Sequence, residues 1–317
     1  MSSKSEYDPQ ATASWLICKT CGTQFPTADR QKVTTCFICD DPRQYVPASG
    51  QSFTTLNELR NSGEYTNVFT PLDVDREHLI AIATQPKVGI GQRAILVRTP
   101  QGNNVLWDCI TLIDEGTIKK VEELGGISAI VISHPHYYST HLEWARAFEC
   151  PVYLAGEDKE WLAQRDEERQ VFIPENEIET RVLGTTVLKL GGHFPGSLVM
   201  LFDGRLLIAD TFLATPSGMG NWECDALGAA RERPRGMSSF AFMWSIPNMI
   251  PLAPADIERM WAVLKKVEFR STHGAFVGMD IIGKTPADMK RRVLESMQIQ
   301  IKFSGHGDHA LLRETVS

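Results

Sequence analysis

Two histidines separated by a single residue are the feature of this sequence most able to do chemistry. They are His134 and His136, within the segment Ser133-His134-Pro135-His136-Tyr137. The segment follows residues 127–132, a nearly continuous apolar run that predicts a strand buried on both faces. Loops at the carboxyl ends of strands are where α/β folds build their sites, and imidazoles at positions i and i+2 can turn toward one point there. The pattern makes a pair of metal ligands as good an interpretation as two structural histidines.

Four further residues favour the metal interpretation, because each lies directly beyond the C-terminal end of a predicted strand. They are Asp108 after residues 105–107, His193 after residues 185–190 and a Gly-Gly pair, Asp210 after residues 206–209, and His273 after residues 267–271. If these strands share one sheet edge, the side chains converge. Chance would place a few of the eight histidines at strand ends, but not in this order with an aspartate closing a hairpin strand. Strands alternating with amphipathic helices must position the site, which predicts a mixed α/β class.

This order of residues resembles the metallo-β-lactamase superfamily over about residues 75–285. The family pattern is an Asp ending an early strand, then His-x-His-x-Asp-His, a later His in a Gly-rich turn, an Asp bridging two metals, and a final His. The resemblance implies a four-layer αββα sandwich. It also implies a role for each matching residue: His134, His136 and His193 as ligands of the first metal, Asp210 as the bridging carboxylate, His273 as a second-metal ligand, and Asp108 as the group that orients a ligand histidine.

The sequence departs from the family pattern where the family has Asp and then His. Tyr138 and Ser139 stand there instead, so half of the usual second-metal site is missing. His141 is an alternative ligand, although it lies about 200° round the predicted helix from the missing histidine. We therefore expect one catalytic metal, with a second ion as the alternative. Zinc is the expected ion, and iron and manganese are alternatives.

The resemblance implies a metal-dependent hydrolase that uses a metal-bound hydroxide on an ester, lactone, lactam or thioester. Asp210 would ligate the metal or hold the water and take its proton. Tyr138 could contact the substrate or pack under the loop. Trp244, in the Met- and Trp-rich residues 215–251, is a second expected substrate contact, with core or dimer packing as the alternative. A degenerate, non-catalytic metal-binding or interaction protein and an iron-dependent non-hydrolytic relative are the alternative functions.

Four of the seven cysteines form two Cys-x-x-Cys pairs, Cys18 with Cys21 and Cys36 with Cys39, with 14 residues between the pairs. This spacing lets four thiolates close a tetrahedron, and it resembles a zinc ribbon or rubredoxin-like knuckle. The second pair, and the lack of an adjacent βαβ pattern, favour one structural zinc over a redox-active dithiol. The predicted organisation is a disordered tail at residues 1–13, a four-cysteine zinc-binding segment at 14–72, and a metallo-β-lactamase-like domain at 73–317.

Composition sets the remaining expectations for the chain of 317 residues. The apolar fraction is 43%, and 32 basic against 39 acidic residues give a net charge of -7. An acidic chain with no basic run argues against nucleic acid as a partner. No apolar run approaches the roughly 18 residues that span a bilayer, and the polar N-terminus is unlike a signal peptide. We expect a cytoplasmic protein with a small-molecule substrate and no membrane partner, and the sequence leaves a homo-oligomer open.

Overall fold

The computed structural model of the protein describes residues 7–72 and 78–316. The chain divides into two compact units, Met1–Thr185 and Thr186–Ser317. Both are mixed α/β structures. The predicted domain boundary at 72/73 adjoins residues 73–77, which lie outside the described residues, as do residues 1–6 and residue 317.

Residues 7–13, which the sequence assigns to a disordered tail, make specific contacts in the structure. Ala13 is fully buried, and its carbonyl accepts a hydrogen bond from the backbone N–H of Asn57 at 2.9 Å. The hydroxyl of Tyr7 donates to a carboxylate oxygen of Glu143 at 3.2 Å. The polar composition of the segment suggested disorder, but these long-range contacts offset the entropy of ordering it.

The first unit contains ten strands, three α-helices and two 3₁₀-helices among its described residues, and strand β11 begins at its last residue. The elements are β1 (Ile17–Cys18), β2 (Phe53–Thr54), α1 (Leu56–Asn61), β3 (Thr66–Pro71), β4 (Leu79–Gln85), β5 (Ala94–Val97), β6 (Val105–Trp107), α2 (Glu115–Glu123), β7 (Ala129–Val131), a 3₁₀-helix (Pro135–Tyr137), α3 (His141–Ala147), β8 (Val152–Ala155), a 3₁₀-helix (Gly156–Trp161), β9 (Gln170–Ile173), β10 (Glu179–Val182) and β11 (Thr185–Lys189).

Strands β3 to β9 form a seven-stranded sheet in chain order. Strands β3 to β6 are antiparallel to their neighbours, whereas β6 to β9 run parallel. Parallel neighbours need a crossover connection, and α2 and α3 supply two of them. Because β6 and β7 are adjacent and parallel, the residues that follow them meet at one sheet edge. Those residues are Asp108 and the His134–His136 segment, as the sequence predicted.

The second unit continues with β12 (Leu198–Phe202), β13 (Arg205–Leu207), β14 (Leu213–Ala214), α4 (Pro216–Met219), β15 (Phe240–Ala241), β16 (Met243–Ser245), β17 (Ile250–Pro251), α5 (Pro254–Leu264), β18 (Ser271–His273), β19 (Asp280–Ile282), α6 (Pro286–Phe303) and a 3₁₀-helix (Ala310–Arg313). Strands β11, β12, β13, β18 and β19 adjoin one another in that order. The predicted hairpin turn at Asp203-Gly204 is confirmed, since both residues have positive φ, 44° and 71°, as a two-residue turn of this kind requires.

Helices α5 and α6 supply one wall of the core of the second unit. Each buries a stripe of residues three or four apart: Ile257, Met260, Trp261 and Leu264 on α5, and Met289, Val293, Met297 and Ile301 on α6. This spacing is that of one face of an α-helix. No helix among the described residues is long and apolar enough to cross a membrane.

The strand predicted at residues 267–271 lies at Ser271–His273 instead. Phe269 is buried in the hydrophobic core, so the apolar character of this stretch serves packing rather than strand pairing. His273 is consequently the last residue of β18 and not a residue of the loop beyond it.

Candidate metal centre

Asp108 contacts the chain at the start of the segment that carries His134 and His136. Asp108 comes directly after β6 and has a positive φ of 60°, a conformation that Asp tolerates better than most residues. Its Oδ1 accepts a hydrogen bond from the backbone N–H of Ser133 at 2.7 Å. This contact fixes the chain immediately before His134, so Asp108 orients the histidine segment through its backbone.

His134 directly precedes the one-turn 3₁₀-helix Pro135–Tyr137, which contains His136, and both histidines are buried. Their ring centroids are 5.2 Å apart, and one ligand nitrogen of each lies within 4.8 Å of the other. The Ser133 hydroxyl lies 2.9 Å from Nδ1 of His134. Metal-binding histidines are usually held through their second ring nitrogen in this way. Nε2 is then the nitrogen of His134 that a metal would use.

Tyr138 and Ser139, which replace the acid and imidazole of the family pattern, both contact protein. The Tyr138 hydroxyl donates to the carbonyl of Asp158 at 3.3 Å, and burial holds its pKa well above the usual range. Tyr138 therefore packs inside the protein, and its contact with substrate stays a prediction. Ser139 has a positive φ of 45°, and its hydroxyl lies 3.0 Å from that of Thr111 and 3.4 Å from the carbonyl of Gly22.

His141, the alternative ligand for a second metal, uses both ring nitrogens inside the first unit. Nδ1 lies 2.8 Å from the carbonyl of Tyr138, and Nε2 lies 2.9 Å from the side-chain amide nitrogen of Gln170. A neutral ring with Nδ1–H donating and Nε2 accepting satisfies both contacts. Burial lowers the pKa of His141 to about 4, which agrees with a neutral ring. His141 is therefore a structural residue.

In the second unit, His193 is oriented toward Asp210. Nδ1 of His193 donates to the backbone carbonyl of Trp244 at 2.7 Å, and Nε2 lies 3.8 Å from Oδ2 of Asp210. The backbone N–H of His193 donates to the hydroxyl of Thr211 at 3.2 Å. Glycine at position 192 allows this close approach of the backbone, because a Cβ there would lie 2.6 Å from the Thr211 hydroxyl. Sequence reasoning missed the role of the Trp244 carbonyl; substrate contact by the Trp244 side chain stays a prediction.

His273 is engaged at both nitrogens as well. Nδ1 lies 2.9 Å from Oδ1 of Asp280, and Nε2 lies 3.0 Å from the hydroxyl of Ser271. A role for His273 as a second-metal ligand stays a prediction, and it would require Nε2 to exchange the Ser271 hydroxyl for the ion. Asp280 was missed by the sequence analysis because it begins a separate strand seven residues later.

The four cysteines of the predicted knuckle form one buried cluster in the first unit. The sulfur atoms of Cys18 and Cys39 are 3.6 Å apart, as are those of Cys21 and Cys36, and all four lie within 4.8 Å of one another. Four thiolates at ~2.3 Å from a tetrahedral ion stand about 3.8 Å apart. The cluster therefore fits a metal ion. All seven cysteines lie within the described residues and are free thiols.

The cysteine cluster is joined to the histidine segment by hydrogen bonds. The backbone N–H of Gln24 donates to the carbonyl of Ser139 at 3.2 Å, and the Gly22 carbonyl accepts from Ser139 and Thr111. Burial acts to raise the pKa of Asp41, which lies just beyond Cys39, but hydrogen bonds from Arg43 and its positive charge lower this pKa overall. The knuckle thus supports the loop that carries His134 and His136.

Replacing Gly22 with alanine should destabilise the protein more than the same change at Gly50. Both glycines have positive φ, 84° and 82°, which costs an alanine about 1–2 kcal/mol. Only at Gly22 would the new Cβ meet a neighbour, the Thr111 hydroxyl at 2.2 Å, whereas nothing lies within 4 Å of the Cβ position at Gly50. Denaturant unfolding of both variants measures the difference. Equal losses of stability would contradict the role assigned to this contact.

Comparison with known proteins identifies the family. Residues 89–266 match the model of the metallo-beta-lactamase superfamily, and the chain belongs to this superfamily. The fold class predicted from the sequence, with its small N-terminal cysteine cluster, is confirmed. A relative of uncharacterised function, YmaE of Bacillus subtilis (strain 168), is 38% identical over 269 residues, which are 83% of this chain and 88% of the relative.

Two solved structures are similar at low sequence identity. A B3 metallo-beta-lactamase with an active-site glutamic acid is 14% identical, with a TM-score of 0.42, and the match covers 83% of this chain and 97% of that protein. A flavo di-iron protein from Thermotoga maritima is 14% identical, with a TM-score of 0.44, over 74% of this chain and 62% of that protein.

Proposed function

We propose that the protein is a metal-dependent hydrolase in which His134, His136, His193 and Asp210 ligate one catalytic metal ion. Its partner is a small-molecule ester, thioester, lactone or lactam. Membership of the superfamily and the match of these residues to its motif order support the proposal. The loops around such sites vary freely on one scaffold, and they decide which of these substrates is bound.

The observation that carries the proposal is the arrangement of His193 and Asp210. Nε2 of His193 and Oδ2 of Asp210 are 3.8 Å apart, too far for a hydrogen bond. A nitrogen and an oxygen bound to one tetrahedral zinc ion, at ~2.0–2.1 Å and ~2.0–2.2 Å, stand about 3.4 Å apart. A closer approach of about 0.4 Å would therefore let the two atoms bind a common ion. Donation from Nδ1 to the Trp244 carbonyl holds the His193 ring so that Nε2 faces this gap.

The protein contributes orientation, proton transfer and a dry environment to the reaction. When bound, the metal lowers the pKa of a water molecule toward neutrality and polarises a carbonyl. The Asp210 carboxylate, 6% exposed, is placed to accept the proton of the attacking water. His134, His136 and His193 are still less exposed, which strengthens the electrostatic interactions of the site.

A single catalytic ion is proposed because the residues for a second are engaged elsewhere. Tyr138, Ser139 and His141 contact protein groups in the first unit. We further propose that the cysteine cluster binds one structural zinc, whose binding free energy is folding free energy for a segment with few branched apolar residues. Iron or manganese at the catalytic site is an outcome of the experiment below.

The test is metal analysis of the purified protein combined with a panel of ester, thioester, lactone and lactam substrates. We expect one tightly held structural zinc, one ion at the catalytic site, and turnover of at least one substrate class that chelation abolishes and added metal restores. Turnover that survives complete chelation would overturn the metal-dependent mechanism. Iron at the site together with oxygen consumption and no hydrolysis would favour the non-hydrolytic alternative. A metal-loaded protein that turns over nothing would favour a non-catalytic metal-binding protein.

A further inference from the structure

A cavity of about 440 Å³ lies within the second unit, between the 218–235 segment, β19 and the beginning of α6. Six basic side chains line it: Arg231, Arg233, Arg235, Lys284, Arg291 and Arg292. Four acidic side chains also line it, which leaves an excess of two positive charges in a chain whose net charge is -7. A cavity of this size is in the range that holds a small-molecule ligand.

Two of the guanidinium groups converge on one hydroxyl oxygen. Nη2 of Arg233 and Nε of Arg292 both donate to Oγ of Ser239, at 2.8 Å and 2.9 Å. Arg292 is 7% exposed and Ser239 is fully buried. Bringing two like charges together away from water is unfavourable unless an anion accompanies them.

The protein supplies only part of that negative charge. The carboxylate of Glu295 lies 3.8 Å from Nη1 of Arg233, at the outer limit of an ion pair. Asp288 is paired with Arg291 at 2.5 Å, and Asp280 lies 2.9 Å from His273. Burial, and the neighbouring cations, lower the pKa of both Arg233 and Arg292. The converging guanidinium groups are therefore the most electropositive part of the cavity.

Arg233 also has one hydrogen-bond donor that could bind a ligand. Its Nε is buried and has no hydrogen-bond partner among residues 7–72 and 78–316. Its Nη2 additionally donates to the carbonyl of Met237 at 2.6 Å, so the guanidinium is fixed in position. A buried N–H without an acceptor costs about 1–3 kcal/mol, a cost that a bound acceptor removes.

We propose that this cavity binds a small oxyanion ligand, a metabolite that carries phosphate or carboxylate groups, between Arg233, Arg292 and the exposed Arg231 and Arg235. Guanidinium forks match both groups through paired hydrogen bonds, and five of the six basic residues are arginines. The inference does not depend on the proposed hydrolase activity.

The ligand is separate from the hydrolysed substrate. Asp280 lines the cavity and contacts His273 at Nδ1, whereas Nε2 of the same ring faces Ser271. The cavity is therefore linked to the predicted metal ligand His273 through Asp280, which contacts Nδ1 and leaves Nε2 to the Ser271 side. An anion held there would act on the orientation of His273 through Asp280 rather than enter the reaction.

The test is calorimetric titration of the full chain with inorganic phosphate, pyrophosphate and citrate at constant ionic strength. The titration uses the wild type and His193→Ala, in which a predicted catalytic ligand is removed so that anion binding to that metal is not counted. We expect at least one of the three probes to bind both proteins with the same affinity. The phosphate and citrate arms distinguish a phosphorylated from a carboxylated ligand. Binding by the wild type alone would assign the anion to the metal centre and overturn the proposal.

Substitutions locate the anion. Arg233→Gln should weaken binding at least ~10-fold and Arg233→Lys by less, since lysine keeps the charge but loses the fork. Arg259→Gln removes one charge from an exposed position of α5 outside the cavity and should change affinity less than ~2-fold. If circular dichroism shows that Arg233→Gln is misfolded, the double variant of the exposed Arg231→Gln and Arg235→Gln should weaken binding ~5-fold or more. No binding of any probe at millimolar concentration, or equal binding by these cavity variants and Arg259→Gln, would overturn the proposal.

Discussion

Cys36→Ser is expected to remove one zinc ion per chain and to unfold the N-terminal cysteine segment. The four sulfur atoms lie within 4.8 Å of one another and are buried, so one missing thiolate leaves an incomplete tetrahedron. Structural zinc contributes about 10–16 kcal/mol of apparent binding free energy in small zinc-binding peptides, and most of it is folding free energy. Metal analysis by mass spectrometry, together with limited proteolysis of residues 14–60, measures both consequences.

The matched control is Cys224→Ser. Cys224 is exposed and belongs to the second unit, outside the cluster. The Cys224→Ser variant should retain the full zinc content and the wild-type proteolysis pattern. Unchanged zinc content in Cys36→Ser would contradict the assignment of the cluster as a metal site.

His193→Ala is expected to abolish both catalytic-metal retention and hydrolysis, while Asp210→Asn should be more selective. The alanine removes an imidazole whose Nε2 faces Asp210 and whose Nδ1 donates to the Trp244 carbonyl. The asparagine keeps an oxygen for the metal but cannot accept a proton, and loss of a general base typically lowers the rate about 10²–10⁴-fold. Metal content and turnover of whichever substrate the panel identifies are measured on the same samples.

His306→Ala serves as the control for histidine loss, because His306 is exposed beyond α6. It should match the wild type in metal content and turnover. If the Asp210→Asn variant turns over substrate at the wild-type rate, the carboxylate is not the proton acceptor. If the His193→Ala variant keeps its full catalytic metal, His193 is not a ligand of that metal.

Tyr138 and Ser139, which replace the aspartate and histidine of the family pattern, have structural roles in this protein. Ser139 stands where the family has a histidine, and it contacts Gly22 and Gln24 of the knuckle. Tyr138 stands where the family has an aspartate, and its hydroxyl contacts Asp158. Both positions therefore support the loop from within the protein. Contacts inside the first unit stabilise this loop without either family ligand of a second metal.

The sequence by itself determined the features that depend on local pattern. The apolar runs before His134 and before the Asp203-Gly204 turn predicted strands because short, nearly continuous apolar runs are typical of strands buried on both faces. The paired Cys-x-x-Cys motifs predicted the cluster because their spacing alone lets four sulfurs converge. The order of Asp108, His134, His136, His193 and Asp210 was sufficient to identify the superfamily.

Only the tertiary structure decided how individual side chains are used. The carbonyl of Trp244 holds His193, a contact across 51 residues that no local pattern encodes. His141, at the start of helix α3, is structural because the side chain of Gln170 contacts it from strand β9. Phe269 fills the core, which displaces the predicted strand to Ser271–His273. Each of these outcomes depends on packing between segments distant in sequence, where burial and hydrogen bonding override local propensity.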